Sequence, residues 1–98
     1  MVAHPIHRVQ AFEIVGPFTL SITFSDGLER TIDFSDVLAG EMYGPLRDES
    51  EFRRAYLDRV AHTVAWPNGA DFDPSTLHDW PDHAADFTRA AANWRKLE

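Results

Sequence analysis

The sequence predicts an α+β fold: a small antiparallel sheet with hairpins, a helix between strands, a short helix after a Trp-Pro-Asn-Gly hairpin, and a C-terminal amphipathic helix. Three observations carry this expectation. Phe18, Leu20, Ile22 and Phe24 alternate with Thr19, Ser21 and Thr23, the period of a strand with one buried face. Asp26-Gly27 and Asn68-Gly69 are hairpin-turn dipeptides beside β-prone runs. Near the C-terminus Phe87, Ala90 or Ala91, Trp94 and Leu97 recur at helical spacing.

The first element expected is a strand over residues 6–15, where Ile6, Val9, Ala11, Phe12 and Ile14 alternate only in part, as at a bulge. Gly16-Pro17 marks a turn into the strand of residues 18–24. Asp26-Gly27, read as a two-residue loop with positive φ at both central positions, leads to a strand over residues 28–34. There Leu28, Arg30, Ile32 and Phe34 share a face; Arg30 interrupts it, which places this strand near a sheet edge or has the side chain snorkel.

Ser35 can cap a short turn that Gly40 ends, and residues 41–47 read as loop. Asp48 followed by Glu51 has capping-box spacing for a helix through Phe52, Ala55 and Tyr56. Residues 60–66 are β-prone again, interrupted at His62 and Thr63.

Residues 66–74 are the densest stretch. Pro67 keeps Trp66 extended, Asn68-Gly69 turns the chain, and Ala70-Asp71-Phe72 can return as a short strand. Asp73 stands where a helix N-cap belongs, with Pro74 at the first helical position and Leu77 and Trp80 on one face of a short helix. Pro81 is expected to break that helix, and Asp82 to cap a last one over residues 82–98.

At 98 residues the chain is long enough for one domain with a thin core, and its aromatics, 12% of residues, concentrate apolar area in a few large side chains. Nine basic against sixteen acidic residues leave a net charge of −7, which disfavours direct binding to nucleic acid or anionic lipid. The absence of cysteine removes disulfide frameworks and thiolate chemistry. No signal peptide or spanning segment is recognised, so the expected location is the cytoplasm.

One resemblance spans residues 6–80. Leu20-x-Ile22-x-Phe24-x-x-Gly27, Asp33-Phe34, Pro45-Leu46-Arg47-Asp48 and above all Val64-x-Trp66-Pro67-Asn68-Gly69-Ala70-Asp71-Phe72-Asp73-Pro74 are similar to the bacterial domain-of-unknown-function family 2442. The resemblance implies a small α+β domain with antiparallel strands. Some members carry a helix-turn-helix or are encoded beside another small domain, which implies antitoxin-like or regulatory pairing. It brings no catalytic residues with it, and the last helix lies outside it.

Candidate chemistry is sparse. Asp71 and Asp73, two apart, would share a strand face as an acid and base pair or a hard-metal site. Capping by Asp73 and turn bonding by Asp71 account for them without chemistry. His78, Asp79, Asp82 and His83 are metal-ligand types, but Pro81 interrupts the helix that would set their spacing. His4 and His7 are expected to be solvated, and His62 to be an isolated strand histidine.

No cofactor or metal is expected, because no nucleophile elbow or phosphate-cradling loop is present. Trp66, Phe72, Trp80 and Trp94 read first as core. Phe87, Trp94 and Leu97 could instead dock on a protein partner or a second copy. The leading expectation is a non-enzymatic interaction module. The alternatives are a small hydrolase or metal-binding domain using Asp71, Asp73 and His78, and an accessory transcription regulator acting through a DNA-binding partner.

Overall fold

A computed structural model describes residues 7–97, with side chains through Lys96; Ile6, His4 and the Leu97 side chain lie outside the described residues. Strands β1 (Val9–Gly16), β2 (Thr19–Phe24) and β3 (Glu29–Asp33) form an antiparallel meander in that order. The alternation of β2 does what its period predicts: Leu20, Ile22 and Phe24 are fully buried. Cross-strand neighbours Ile14, Leu20 and Ile32 continue the apolar face, while Glu13, Ser21 and Thr31 line up on the other. The imperfect period of β1 corresponds to two register shifts, between Val9 and Ala11 and between Ile14 and Gly16.

Three local expectations shift here. Phe18 belongs to the turn, not to β2; its φ of 54° is left-handed, and its ring is held edge-on to Phe52 at 5.5 Å. The Asp26-Gly27 loop has three residues, closed by Phe24 N donating to Leu28 O (2.9 Å) and Gly27 N to Phe24 O (3.0 Å). The loop at Asn68-Gly69 repeats that pattern, with Trp66 N to Ala70 O and Gly69 N to Trp66 O, both 2.9 Å. In each only the glycine has positive φ, 91° at Gly27 and 92° at Gly69, so one left-handed residue suffices. Asp26 Oδ1 and Asn68 Oδ1 each accept the backbone N–H two residues on, which is why these residue types precede the glycine.

After β3, Asp33 rather than Ser35 caps the turn, accepting from Ser35 N. Gly40 opens a helix instead of ending one: α1 (Gly40–Tyr43) runs into a 3₁₀ helix (Gly44–Arg47), replacing the expected loop. Asp48 caps α2 (Glu49–Phe52) as predicted, but that helix stops after one turn. The reason lies far along the chain. Trp66 Nε1 donates to Phe52 O at 2.8 Å, occupying the carbonyl that a longer helix would offer to Tyr56. Tyr56 instead starts β4 (Tyr56–Asp58), paired with β5 (Thr63–Ala65). Val60, in the connecting turn, is 92% exposed.

Asp73 N-caps α3 (Pro74–His78) through Ser75 N, with Pro74 at its start, as the sequence predicts. The expected return strand reduces to one bridge, Ala65 to Asp71. Pro81 does not break the helix and Asp82 does not cap the next one: the break falls earlier, at Asp79, and α4 (Trp80–Leu97) takes both residues into its first turn. A proline in the first helical turn loses no bond, and Trp80 therefore belongs to α4.

The core forms where these elements converge on Phe72. Its ring meets those of Tyr43 (4.7 Å), Phe34 (5.1 Å), Phe87 (5.7 Å), Trp80 (5.9 Å) and Trp66 (6.1 Å). From α4, Trp80, Ala84, Phe87 and Ala91 face inward, so Ala91 rather than Ala90 completes the stripe.

Candidate functional site

The motif loop places its residues in different roles. Asp73 is bound to its cap, and the Asp71 side chain is exposed; its backbone carbonyl accepts from Tyr43 Oη at 2.6 Å. Burial, with Asp71 nearby, raises the Tyr43 pKa, keeping the hydroxyl protonated and donating. Asn68 Nδ2 donates to Met42 O at 2.9 Å, and a Cβ on Gly69 would stand 3.5 Å from Met42 Cε. The loop thus braces α1 from two sides. Trp66, Pro67, Asn68, Gly69, Asp71, Asp73 and Pro74 together hold a turn, a brace and a helix start.

What α1 presents is apolar. Met42 is 45% and Trp94 52% exposed, and together with Gly40, Glu41 and Tyr43 they line a cleft of about 300 Å³ between α1 and α4. The Trp94 ring lies over Gly40, where an added Cβ would come within 3.4 Å of Trp94 Cε2. Of the C-terminal residues named as docking candidates, Phe87 packs on Trp80 at 5.3 Å and on Phe72, whereas Trp94 keeps half its surface in solvent.

His78 is not brought into a shared cluster with Asp71 and Asp73; its partners come from elsewhere. Nδ1 lies 2.8 Å from Asp79 Oδ1 and Nε2 lies 2.7 Å from Asp26 Oδ2, a residue 52 positions earlier. The His7 ring, expected to be solvated, stacks on His78 at 3.6 Å, and Phe24 meets it edge-on at 5.0 Å. Arg30 adds a backbone tie, donating from Nε to His78 O at 2.8 Å, which accounts for an arginine on the core face of an edge strand. The Asp26 link had no local signal, because Asp26 is fully explained as a turn residue.

Two carboxylates on one ring favour the imidazolium. The Asp79 hydrogen bond raises the His78 pKa most and Asp26 adds to it, while partial burial opposes both. Asp26 is lowered, first by Leu28 N–H and then by His78; Asp79 is lowered chiefly by its bond to His78. Donor atoms of His7, His78 and Asp79 lie within 4.8 Å of one another, the spacing of a metal site. Parallel stacked imidazoles, however, aim their in-plane lone pairs side by side rather than at one ion, and both His78 nitrogens already face carboxylates. The arrangement suits an ion-paired imidazolium better than a metal.

This latch makes stability depend on pH. A histidine whose pKa is raised on folding contributes stability that is full below its unfolded value, about 6.5, and is lost as pH rises through the folded value. The lowered Asp26 and Asp79 contribute above about 3.8 and lose that as pH falls. Thermal melting should therefore drop from pH 6 toward pH 9, and His78→Gln should flatten that drop. An unchanged slope in the variant would remove the latch from the account.

A family model described as Protein of unknown function (DUF2442) matches residues 9–83. No curated protein and no solved structure gives a significant match. The matched region runs from β1 into the first turn of α4 and includes the whole brace around Asn68; Trp94 lies beyond it. Covering well over half of its length, the match shows that the chain belongs to this family of proteins of unknown function.

Proposed function

We propose that the chain is a non-enzymatic protein–protein interaction module, antitoxin-like or regulatory, that docks a neighbour-encoded partner through the Trp94 and Met42 patch. The observation that carries this reading is a half-exposed tryptophan beside a half-exposed methionine, on a seam that the family loop braces. Tryptophan is enriched among the side chains that dominate interface energy, and methionine adapts to varied partners. Phe87 and Ala91 hold α4 in place so that Trp94 is presented from a fixed backbone. A chain of net charge −7 favours a partner whose rim is basic, meeting Glu41 at the cleft.

Co-expression with the neighbouring reading frame should yield a stable complex, and Trp94→Ala should weaken it by about thirtyfold or more while costing the fold only the half-buried contact with Gly40. Light scattering on the purified chain separates a partner complex from a homodimer through the same face. A strict monomer whose neighbour elutes apart would sink the proposal. A hydrolase or metal-binding reading on Asp71, Asp73 and His78 draws less support, since each of those residues already has a structural use or an exposed, unclustered carboxylate.

A further inference from the structure

A cleft of about 450 Å³ lies on another side of the fold, where β1, the β2–β3 loop and the β4–β5 hairpin meet. Its walls are tied by backbone bonds, Ser25 N to Arg8 O and Val9 N to His62 O, both 2.9 Å. His62, at the end of the turn between β4 and β5, holds a left-handed φ of 55°, which ends that turn and brings its carbonyl to Val9 N.

The charge in this cleft runs against the rest of the molecule. Arg8, Arg59 and His62 line it against a single carboxylate, Asp58. Among the described residues neither the Arg8 nor the Arg59 guanidinium makes a hydrogen bond or ion pair, in a chain with sixteen acidic residues, whereas Arg54 and Arg89 pair with carboxylates. Asp58 cannot neutralise both, and its Oδ1 is already occupied by Val60 N and Ala61 N. Between these groups Val9 and Leu57 supply an apolar floor.

We propose that this cleft binds a small phosphate monoester, its phosphate held by Arg8, Arg59 and His62 and its compact organic body laid against Val9 and Leu57. Guanidinium forks match phosphate oxygens, three exposed cationic or donor side chains lining one cleft suit three terminal oxygens better than the two of a carboxylate, and the volume fits a small organic ligand.

The test is a titration of the full chain with phenyl phosphate, followed by backbone amide shifts, with benzoate and benzyl alcohol in parallel. Saturable binding of phenyl phosphate, with shifts confined to residues around Val9, Leu57 and His62, is expected; benzoate should bind more weakly and benzyl alcohol should not bind. Arg8→Gln with Arg59→Gln should lower the affinity about a hundredfold, tenfold for each charge-assisted contact, with the melting temperature checked alongside. Arg53→Gln, an exposed arginine outside the cleft, should leave it unchanged. The proposal is overturned by no saturation up to about 10 mM, by shifts elsewhere on the surface, by benzoate binding as tightly, or by a double variant that binds like the parent. The shift map on the parent chain decides the matter even if the double variant folds poorly.

Discussion

Trp66→Ala should bring the protein close to its unfolding threshold, lowering stability by about 3–5 kcal/mol against a total of about 5–15 kcal/mol for a domain of this size. The side chain is 1% exposed and is the largest fully buried one. It touches Phe52 at 5.5 Å and Phe72 at 6.1 Å, and its indole N–H is the donor that stops α2 at Phe52. Trp66→Phe keeps most of the volume and removes the donor, so it should cost about 1–2 kcal/mol, leaving Phe52 O with Ala55 N as its remaining partner. Urea midpoints for the pair separate cavity from hydrogen bond. An alanine variant within about 1 kcal/mol of the parent would refute the position assigned to Trp66.

Phe72→Ala should cost a similar amount, about 3–5 kcal/mol, but with an uneven spatial effect. Phe72 is the ring on which Tyr43 from α1, Phe34 from the end of the meander and Trp80 and Phe87 from α4 converge. Without Phe72, α4 keeps the contact of Trp80 with Phe34 at 5.5 Å, the burial of Ala84 and Ala91, and the contact of Trp94 with Gly40. Amide exchange should accelerate in α4 well before it does in β2, the central strand, which is hydrogen-bonded to β1 on one side and β3 on the other. Equal acceleration in both elements would show that α4 is not the weaker unit.

Much of this arrangement was legible in the sequence wherever a local rule governs. The strict alternation of β2, the Asp73-Pro74 helix start and the α4 stripe depend on neighbours within about four residues, and the structure has all three. Elements set by distant groups were not legible. The early end of α2 depends on an indole 14 residues away, and the His78 ion pairs depend on Asp26 across 52 residues. Helix α1 was hidden by its flanking glycines and by Pro45, which read as loop but in fact open α1 and start the 3₁₀ turn. For the candidate site, the motif residues were identifiable and their purpose was not, because bracing Met42 involves a backbone carbonyl that no side-chain pattern reveals. The pairing of Arg8 with Arg59 across one cleft carried no spacing signal at all.

The aromatic hub also has a kinetic meaning. The meander closes through loops of only two and three residues, so its contacts form at little loop-closure cost. The rings around Phe72 come from positions spread between Phe34 and Phe87, and their meeting has to wait for the intervening chain. Such an order puts β1 to β3 in the folding nucleus and the hub after the barrier. The stability lost in Phe72→Ala should then appear almost wholly as faster unfolding, with the refolding limb of the chevron nearly unmoved. The family motif would on this account act as a clasp that sets how long the folded chain lasts.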